Sequence, residues 1–198
     1  QRNRDAMTRR GAVFGCAGLL LLTAPAHALV TVVGAGMAYD CFIAAKAGTD
    51  PRGGIAVCNS ALAEGLLSTR ARAGTYVNRA VMKVALGQID DALADYNSGL
   101  SLDPELGDGY VDRGAALIML KRYDEALADI DKGIGLGQTY EHVGYYNRGV
   151  AEFFLGRIAQ SYHDFKKASQ IAPEFIPARE QLKNFVVTRV PAGQEGAR

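Results

Sequence analysis

The sequence has few of the residues that most often carry out chemistry, with three histidines and three cysteines among 198 residues. It has no Gly-x-Ser-x-Gly motif, no glycine-rich phosphate loop and no His-Glu-x-x-His motif, so the common hydrolase, nucleotide-binding and zinc-protease signatures are missing. His142 and His163 have no neighbouring residues at metal-ligand spacing. We therefore predict no catalytic residue, no metal site and no cofactor.

The chain also lacks a strong excess of charge of either sign, with 22 basic and 21 acidic residues. The whole chain is +1 and residues 1–28, with four arginines and one aspartate, contribute +3, which leaves the remaining residues near −2. Binding to a phosphate backbone depends on a basic stripe, and no such stripe remains. We predict no nucleic-acid partner.

The sequence does contain a repeat. Tyr76, Tyr110 and Tyr145 open three similar segments, spaced by 34 and then by 35 residues. A period in this range is typical of solenoids built from stacked helix pairs, in which neighbouring units bury a shared apolar core. The small residues that recur and let paired helices approach closely are Ala80, Gly114, Gly149, Ala92, Ala126, Ser161, Gly99, Gly133 and Ala168. The residues predicted to fill the space between paired helices are Tyr96, Ile130 and Phe165.

These recurring positions resemble the tetratricopeptide repeat, a 34-residue helix-turn-helix unit with characteristic aromatic, Leu-Gly, Ala and Pro positions. The three predicted repeats span residues 73–106, 107–140 and 142–175. The chain departs from the family pattern because Arg replaces the usual Leu in each copy and Gln138 stands where Pro is expected. The resemblance implies an all-α solenoid of antiparallel helix pairs that binds another protein chain in an elongated groove.

The N-terminal segment has the order of features found in a secretory signal peptide. Two arginines precede an apolar run at residues 11–22, and a small-residue motif that ends at Ala28 follows. We predict a signal peptide at residues 1–28 and a periplasmic or secreted protein. The apolar run is shorter than the ~20 residues that span a bilayer, so we expect no stable membrane insertion after cleavage.

Cys41 and Cys58 would remain after that cleavage, in a compartment where disulfides persist. Residues 29–72 are predicted to form a helix hairpin, with helices at 37–47 and 55–67 around a glycine-rich turn. The two cysteines lie almost evenly on either side of this turn, so they should face each other. We predict a disulfide that staples a degenerate N-terminal repeat; the alternative is two buried free thiols.

The first helix of each repeat lines the concave groove in proteins that are similar to this one. On the repeat frame, we expect seven side chains to bind a protein or peptide partner: Asn78, Val81, Asp112, Met119, Tyr146, Asn147 and Phe154. Asn78, Asp112 and Asn147 share one position in successive repeats, and asparagine can both donate to and accept from a peptide backbone. The alternative is that these polar residues only face solvent.

Chaperone-binding members of the resembled family grip a C-terminal carboxylate with lysine and arginine side chains on these helices. The corresponding positions here hold no cation and include two aspartates, Asp108 and Asp112. A C-terminal carboxylate would be repelled, so we do not expect that activity.

An arginine recurs at one position of every repeat, and an aspartate recurs sixteen residues later. The pairs are Arg79 with Asp95, Arg113 with Asp129, and Arg148 with Asp164. A constant spacing of opposite charges predicts an interhelical ion pair that sets the packing of the helices. Such pairs contribute only about 0 to 1 kcal/mol each if they are exposed.

The remaining segments complete the predicted solenoid. Residues 176–190 are predicted to form a helix that caps the apolar end of the last repeat, and residues 191–198 to form a flexible tail. The sequence thus favours an exported adaptor that binds a protein or peptide as part of an envelope complex. One alternative is a membrane-tethered envelope assembly factor that retains its N-terminal segment, and another is an enzyme with an unrecognised site.

Overall fold

The computed structural model describes residues 5–9, 36–63 and 66–189, which form nine helices and two short strands. In chain order these elements are β1 Asp5–Arg9, α1 Met37–Ala47, α2 Pro51–Ala63, α3 Thr69–Ala85, α4 Ile89–Leu102, α5 Gly107–Met119, α6 Tyr123–Leu136, α7 Glu141–Phe154, α8 Ile158–Ile171, α9 Ile176–Leu182 and β2 Phe185–Arg189. The predicted helix-pair solenoid is confirmed. The predicted tail, and the predicted signal peptide apart from β1, lie outside the described residues.

The helices pack as three pairs, α3 with α4, α5 with α6 and α7 with α8, and the first helices also contact one another in succession. Within each pair the chain turns at a residue in the left-handed conformation: Gly87, Lys121 and Gly156 have φ angles of 74°, 61° and 76°. Glycine adopts this conformation without strain, whereas a residue with a Cβ is disfavoured by about 1 kcal/mol. The second repeat therefore keeps the turn of the other two although its sequence lacks the glycine.

The predicted packing residues lie between the paired helices. Tyr96, Ile130 and Phe165 are at most 1% exposed. A Cβ added at Gly114 would lie 2.5 Å from Ile130 Cγ1, so only glycine allows α5 and α6 to approach this closely. The predicted roles of the bulky residues and of this glycine are confirmed.

The N-terminal hairpin differs from its prediction at the second helix. α1 spans the predicted residues, but α2 begins at Pro51, within the predicted turn, and ends at Ala63. Proline is favoured at the first position of a helix, and the Asp50 carboxylate accepts a hydrogen bond of 3.0 Å from Gly53 N. These start signals outweigh the glycines that led to the prediction of a turn.

The hairpin is joined by a disulfide between Cys41 and Cys58, with an S–S distance of 2.04 Å. Both cysteines are fully buried, in a core cluster that continues through the first repeat as far as Tyr110 and Ala116. Because α1 and α2 both pack against α3, the hairpin is stacked on the solenoid as an additional helix pair.

The C-terminal end differs from the predicted long capping helix. α9 ends at Leu182, and the chain then forms β2, which pairs antiparallel with β1 so that Asp5 lies opposite Arg189. Two valines and a threonine follow Phe185, and β-branched residues favour an extended strand. The Phe185 ring lies 6.0 Å from the ring of Phe165, so α9 and Phe185 together cover the apolar end of the third repeat.

Candidate partner-binding face

The first helices of the three repeats hold all seven side chains that the sequence predicts for partner binding. Five of the seven are buried, with exposed fractions of at most 4%: Asn78, Val81, Asp112, Tyr146 and Asn147. Met119 and Phe154 are each 41% exposed. The structure therefore separates the predicted set into a buried group and two side chains that another molecule can reach.

The three polar side chains that share one position in successive repeats, Asn78, Asp112 and Asn147, are buried, which contradicts the alternative that they only face solvent. Buried amide and carboxylate groups must be hydrogen-bonded or otherwise compensated, so these residues contribute to folding whatever else they bind. The Asp112 carboxylate acts on a neighbouring core residue: burial, then Asp112 and Asp95, raise the pKa of Tyr96 well above its usual value. The Tyr96 phenol thus remains protonated. Partner binding by the three polar residues stays a prediction.

Tyr146 is a core residue of the third repeat. Its ring centroid lies 5.5 Å from that of Phe165 and 5.3 Å from that of Phe175. Burial raises the pKa of its phenol, while a hydrogen bond with Gln181 of α9 acts in the opposite direction. Tyr146 therefore joins the third repeat to the capping helix, a contact that the repeat pattern did not reveal.

Met119 and Phe154 occupy the same position in successive repeats, at the last residue of α5 and of α7. The Phe154 ring stacks on that of Tyr123, the first residue of α6, with centroids 4.9 Å apart and planes inclined by 7°. Leu120, beside Met119, is 37% exposed. We call Met119, Leu120, Tyr123 and Phe154 the apolar edge. Large apolar side chains exposed by two adjacent repeats give a partner surface to bury.

The predicted ion pairs are present in all three repeats. Each guanidinium makes two hydrogen bonds of 2.6–2.9 Å, from Nε and one terminal nitrogen, to the aspartate sixteen residues later. This paired geometry is the strongest that arginine and a carboxylate form. The pairs lie within each repeat, between its first and second helices.

A further contact of each arginine was missed in the sequence. The second terminal nitrogen donates, at 2.6–2.8 Å, to a side chain on the second helix of the preceding unit: Asn59, Asn97 and Asp131. Each of these acceptors directly follows a buried residue, Cys58, Tyr96 or Ile130. The sequence does carry a signal for this contact, namely a polar residue directly after the buried residue of each second helix. The arginines thus link each repeat to the one before it, including the N-terminal hairpin.

The second-helix side carries a cavity of about 390 Å³ between the first and second repeats. Its lining residues are Leu93, Asn97, Arg113, Leu117, Arg122, Glu125, Ala128 and Asp129. The two arginines in this lining are already paired, Arg113 with Asp129 and Arg122 with Glu125. The cavity offers apolar surface between satisfied ion pairs.

Neither a metal site nor a membrane span is found in the described part of the chain. Within these residues, no three His, Cys, Asp or Glu side chains are grouped so that they could hold a metal ion. None of the described helices combines the length and the apolar character needed to cross a bilayer.

Comparison with known proteins identifies two of the three repeats. The tetratricopeptide repeat family model matches residues 73–106 and 142–175. No curated protein sequence matches the chain.

Solved structures with a similar fold cover the solenoid. The first TPR of Spaghetti (RPAP3), bound to the HSP90 peptide SRMEEVD, is 22% identical over 60% of this chain and 94% of its own, with a TM-score of 0.55. MamA from Desulfovibrio magneticus RS-1 is 16% identical over 76% and 84%, with a TM-score of 0.59. The Arabidopsis OM64 TPR domain is 21% identical over 59% and 95%, with a TM-score of 0.56. Two segments of the chain thus match the tetratricopeptide repeat model, and the chain has the helix-pair solenoid fold of these proteins.

Proposed function

We propose that this protein is an exported adaptor that binds a protein or peptide as part of an envelope complex. The observation that carries the proposal is the apolar edge, which two stacked repeats expose on a solenoid of the tetratricopeptide type. The RPAP3 domain of similar fold is bound to a peptide, which supports the same class of partner here.

The chemistry of the face favours a partner that binds through apolar side chains. The positions that correspond to the chaperone-binding clamp hold no cation here and include Asp108 and Asp112. The Asp108 carboxylate accepts hydrogen bonds of 2.8 and 2.7 Å from Thr139. A free C-terminal carboxylate would find no cation at these positions and would meet the Asp108 carboxylate. The partner instead gains affinity by burying an apolar anchor against the stacked rings of Phe154 and Tyr123.

Site-specific crosslinking in the native host tests where the partner binds. A photoreactive phenylalanine analogue at Phe154 should give a defined crosslinked species, because that ring is exposed within the apolar edge. The same analogue at Leu102 is the matched control, since Leu102 is similarly exposed, at 38%, on a second helix. Once the species is identified by mass spectrometry, the Met119→Ala/Phe154→Ala variant should bind it at least tenfold more weakly than the Leu102→Ala variant. Crosslinking from Leu102 and not from Phe154 would place the partner elsewhere on the solenoid.

Export is supported by the charged, apolar and small-residue order of residues 1–28 and by the buried Cys41–Cys58 disulfide. Structural disulfides persist mainly in oxidising compartments outside the cytosol. Removal of residues 1–28 would also remove β1 from its pairing with β2.

Mass spectrometry of the protein from its native host tests export. We expect a chain that begins at Leu29 and a peptide pair joined through Cys41 and Cys58 under non-reducing conditions. An intact N-terminus in the membrane fraction would instead support the tethered assembly factor. An intact N-terminus in a cytosolic fraction, with both thiols free, would contradict export.

A further inference from the structure

The three repeats differ at one position that lies beside the ion pair that recurs in each of them. In each repeat this position comes four residues after the arginine of the ion pair, and it holds Lys83, Leu117 or Glu152. Residues four apart on a helix lie on the same face, so each side chain is directed towards the same joint between helices. The chain thus places a cation, an apolar group and an acid at equivalent joints.

In the first repeat the cation strengthens the network. Lys83 Nζ lies 2.7 Å from Asp95 Oδ2, and the same carboxylate accepts both hydrogen bonds from Arg79. Lys83 also donates a hydrogen bond of 3.3 Å to the backbone oxygen of Asp91. One carboxylate is therefore neutralised by two cations.

In the third repeat the same position holds an acid. One oxygen of Glu152, Oε2, is buried without a hydrogen-bond partner. The nearest cation on its own helix, Arg148, already binds Asp164 of α8 and Asp131 of α6. At the start of α8, Arg157 lies 3.5 Å from Asp124. The cations that face Glu152 are thus already shared among other carboxylates.

We propose that the joint between the second and third repeats responds to protons, and that uptake of one proton by Glu152 strengthens the packing of α7 on α6 and α8. A protonated Glu152 carries no charge to repel Asp164 and Asp131, and its neutral carboxyl tolerates burial. The ionised form places a further negative charge in a partly buried cluster whose two described cations, Arg148 and Arg157, already pair with other carboxylates.

The direction of the pH dependence follows from the surroundings of the carboxyl. Burial and the Asp164 carboxylate raise the pKa of Glu152 to about 7, against the lowering effect of Arg148 and Arg157. The unfolded chain has the usual glutamate pKa of 4.5. Between these values the folded protein holds a proton that the unfolded protein has released. The stabilisation is thus fully present below about 4.5 and is lost as the pH rises through about 7.

Thermal unfolding of the full chain between pH 5 and pH 8 tests the proposal. The Glu152→Gln variant keeps the shape of the neutral acid and cannot ionise. We expect it to melt slightly above the wild type at pH 5 and increasingly above it as the pH rises, with the difference levelling off above about pH 7. The control is Glu105→Gln, because Glu105 is exposed in the turn after α4; its melting curve should remain parallel to that of the wild type. Parallel curves for Glu152→Gln and wild type would overturn the proposal.

A reciprocal exchange separates this effect from general acid sensitivity. Glu152→Lys should pair with Asp164 as Lys83 pairs with Asp95, raise the melting temperature at pH 8 and abolish the difference between pH 5 and pH 8 that is specific to Glu152. Lys83→Glu should create a second acidic joint and make the first repeat more sensitive to rising pH.

At pH 8, amide hydrogen exchange should be slower in α7 and α8 of Glu152→Gln than of the wild type, and unchanged in α3 and α4. A uniform change across all helices would contradict a local joint.

Discussion

Among single residues, the aspartates that pair with the recurring arginines differ in burial and in their number of cationic partners, although the geometry of the pairs is the same. The Asp95 side chain is 6% exposed and binds both Arg79 and Lys83. The Asp129 side chain is 14% exposed and, among the described residues, forms its ion pair with Arg113. Removal of one partner from a buried pair leaves an uncompensated charge, and its cost grows with burial. The two carboxylates should therefore differ in their contribution to stability.

We expect Asp95→Asn to reduce the free energy of unfolding by about 3 kcal/mol and Asp129→Asn by roughly half as much. Urea unfolding monitored by circular dichroism measures both. The exposed pair Lys183–Glu180 provides a control, since its side chains are 69% and 44% exposed and Glu180→Ala should change stability by less than about 0.5 kcal/mol. Equal losses for the two aspartates would show that the second cation on Asp95 adds nothing.

At the scale of elements, the approach of paired helices depends on where glycines meet a neighbouring backbone. A Cβ at Gly133 of α6 would lie 2.7 Å from the backbone oxygen of Gly107 and 2.7 Å from Val111 Cγ2 on α5. At Gly135, two residues along the same helix, such a Cβ would have no atom within 4 Å apart from its chain neighbours and the nearby backbone of its own helix. The helix thus contains one glycine that packing requires and one that it does not.

We expect Gly133→Ala to destabilise the protein by about 1–3 kcal/mol, because α5 and α6 must separate to admit the methyl group. Gly135→Ala should stabilise it by up to about 1 kcal/mol, because alanine is the better helix former and meets no neighbour. Differential scanning calorimetry of the two variants gives the comparison. If Gly135→Ala also lost stability, helix propensity and the space around the added methyl group would not explain the stability changes at these two positions.

In the molecule as a whole, the stability of each helix pair depends on its contacts with the neighbouring pairs. The Cys41–Cys58 disulfide holds the first helix pair, and the arginine network and shared core link that pair to the repeats. At the other end, α9 and Phe185 cover the third repeat. Terminal units of a solenoid have only one neighbour, so they depend most on additional constraints.

We expect the Cys41→Ser/Cys58→Ser variant to lose about 3 kcal/mol, the loop-closure value for a separation of 17 residues. Its thermal midpoint should match that of the reduced wild type. Hydrogen exchange should accelerate first in α1 and α2, since these helices lose the constraint directly. An unchanged midpoint after full reduction, verified by thiol counting, would contradict a stabilising role for the bridge.

The features that repeat, or that depend on near neighbours along the chain, followed from the amino-acid sequence alone. The 34-residue period located the helix pairs, the sixteen-residue spacing paired each arginine with its aspartate, and the symmetry about a turn predicted the Cys41–Cys58 bridge. These features follow from helical geometry, which fixes the relative positions of residues within one unit. Recurrence in three units identified the helix pairs and the ion pairs in spite of the departures from the family pattern, whereas the bridge was identified within one hairpin.

Which side chains are buried, and which contacts link neighbouring units, became clear only from the packing of the helices. Asn78 and Asn147 have polar side chains and yet are buried. Met119 and Phe154 have apolar side chains and yet are exposed. Burial depends on the stacking of neighbouring units, which the pattern within one repeat does not specify. The third contact of each arginine, the pairing of β1 with β2 and the acidic joint at Glu152 likewise bring together groups from different elements, and stacking of those elements sets their contacts.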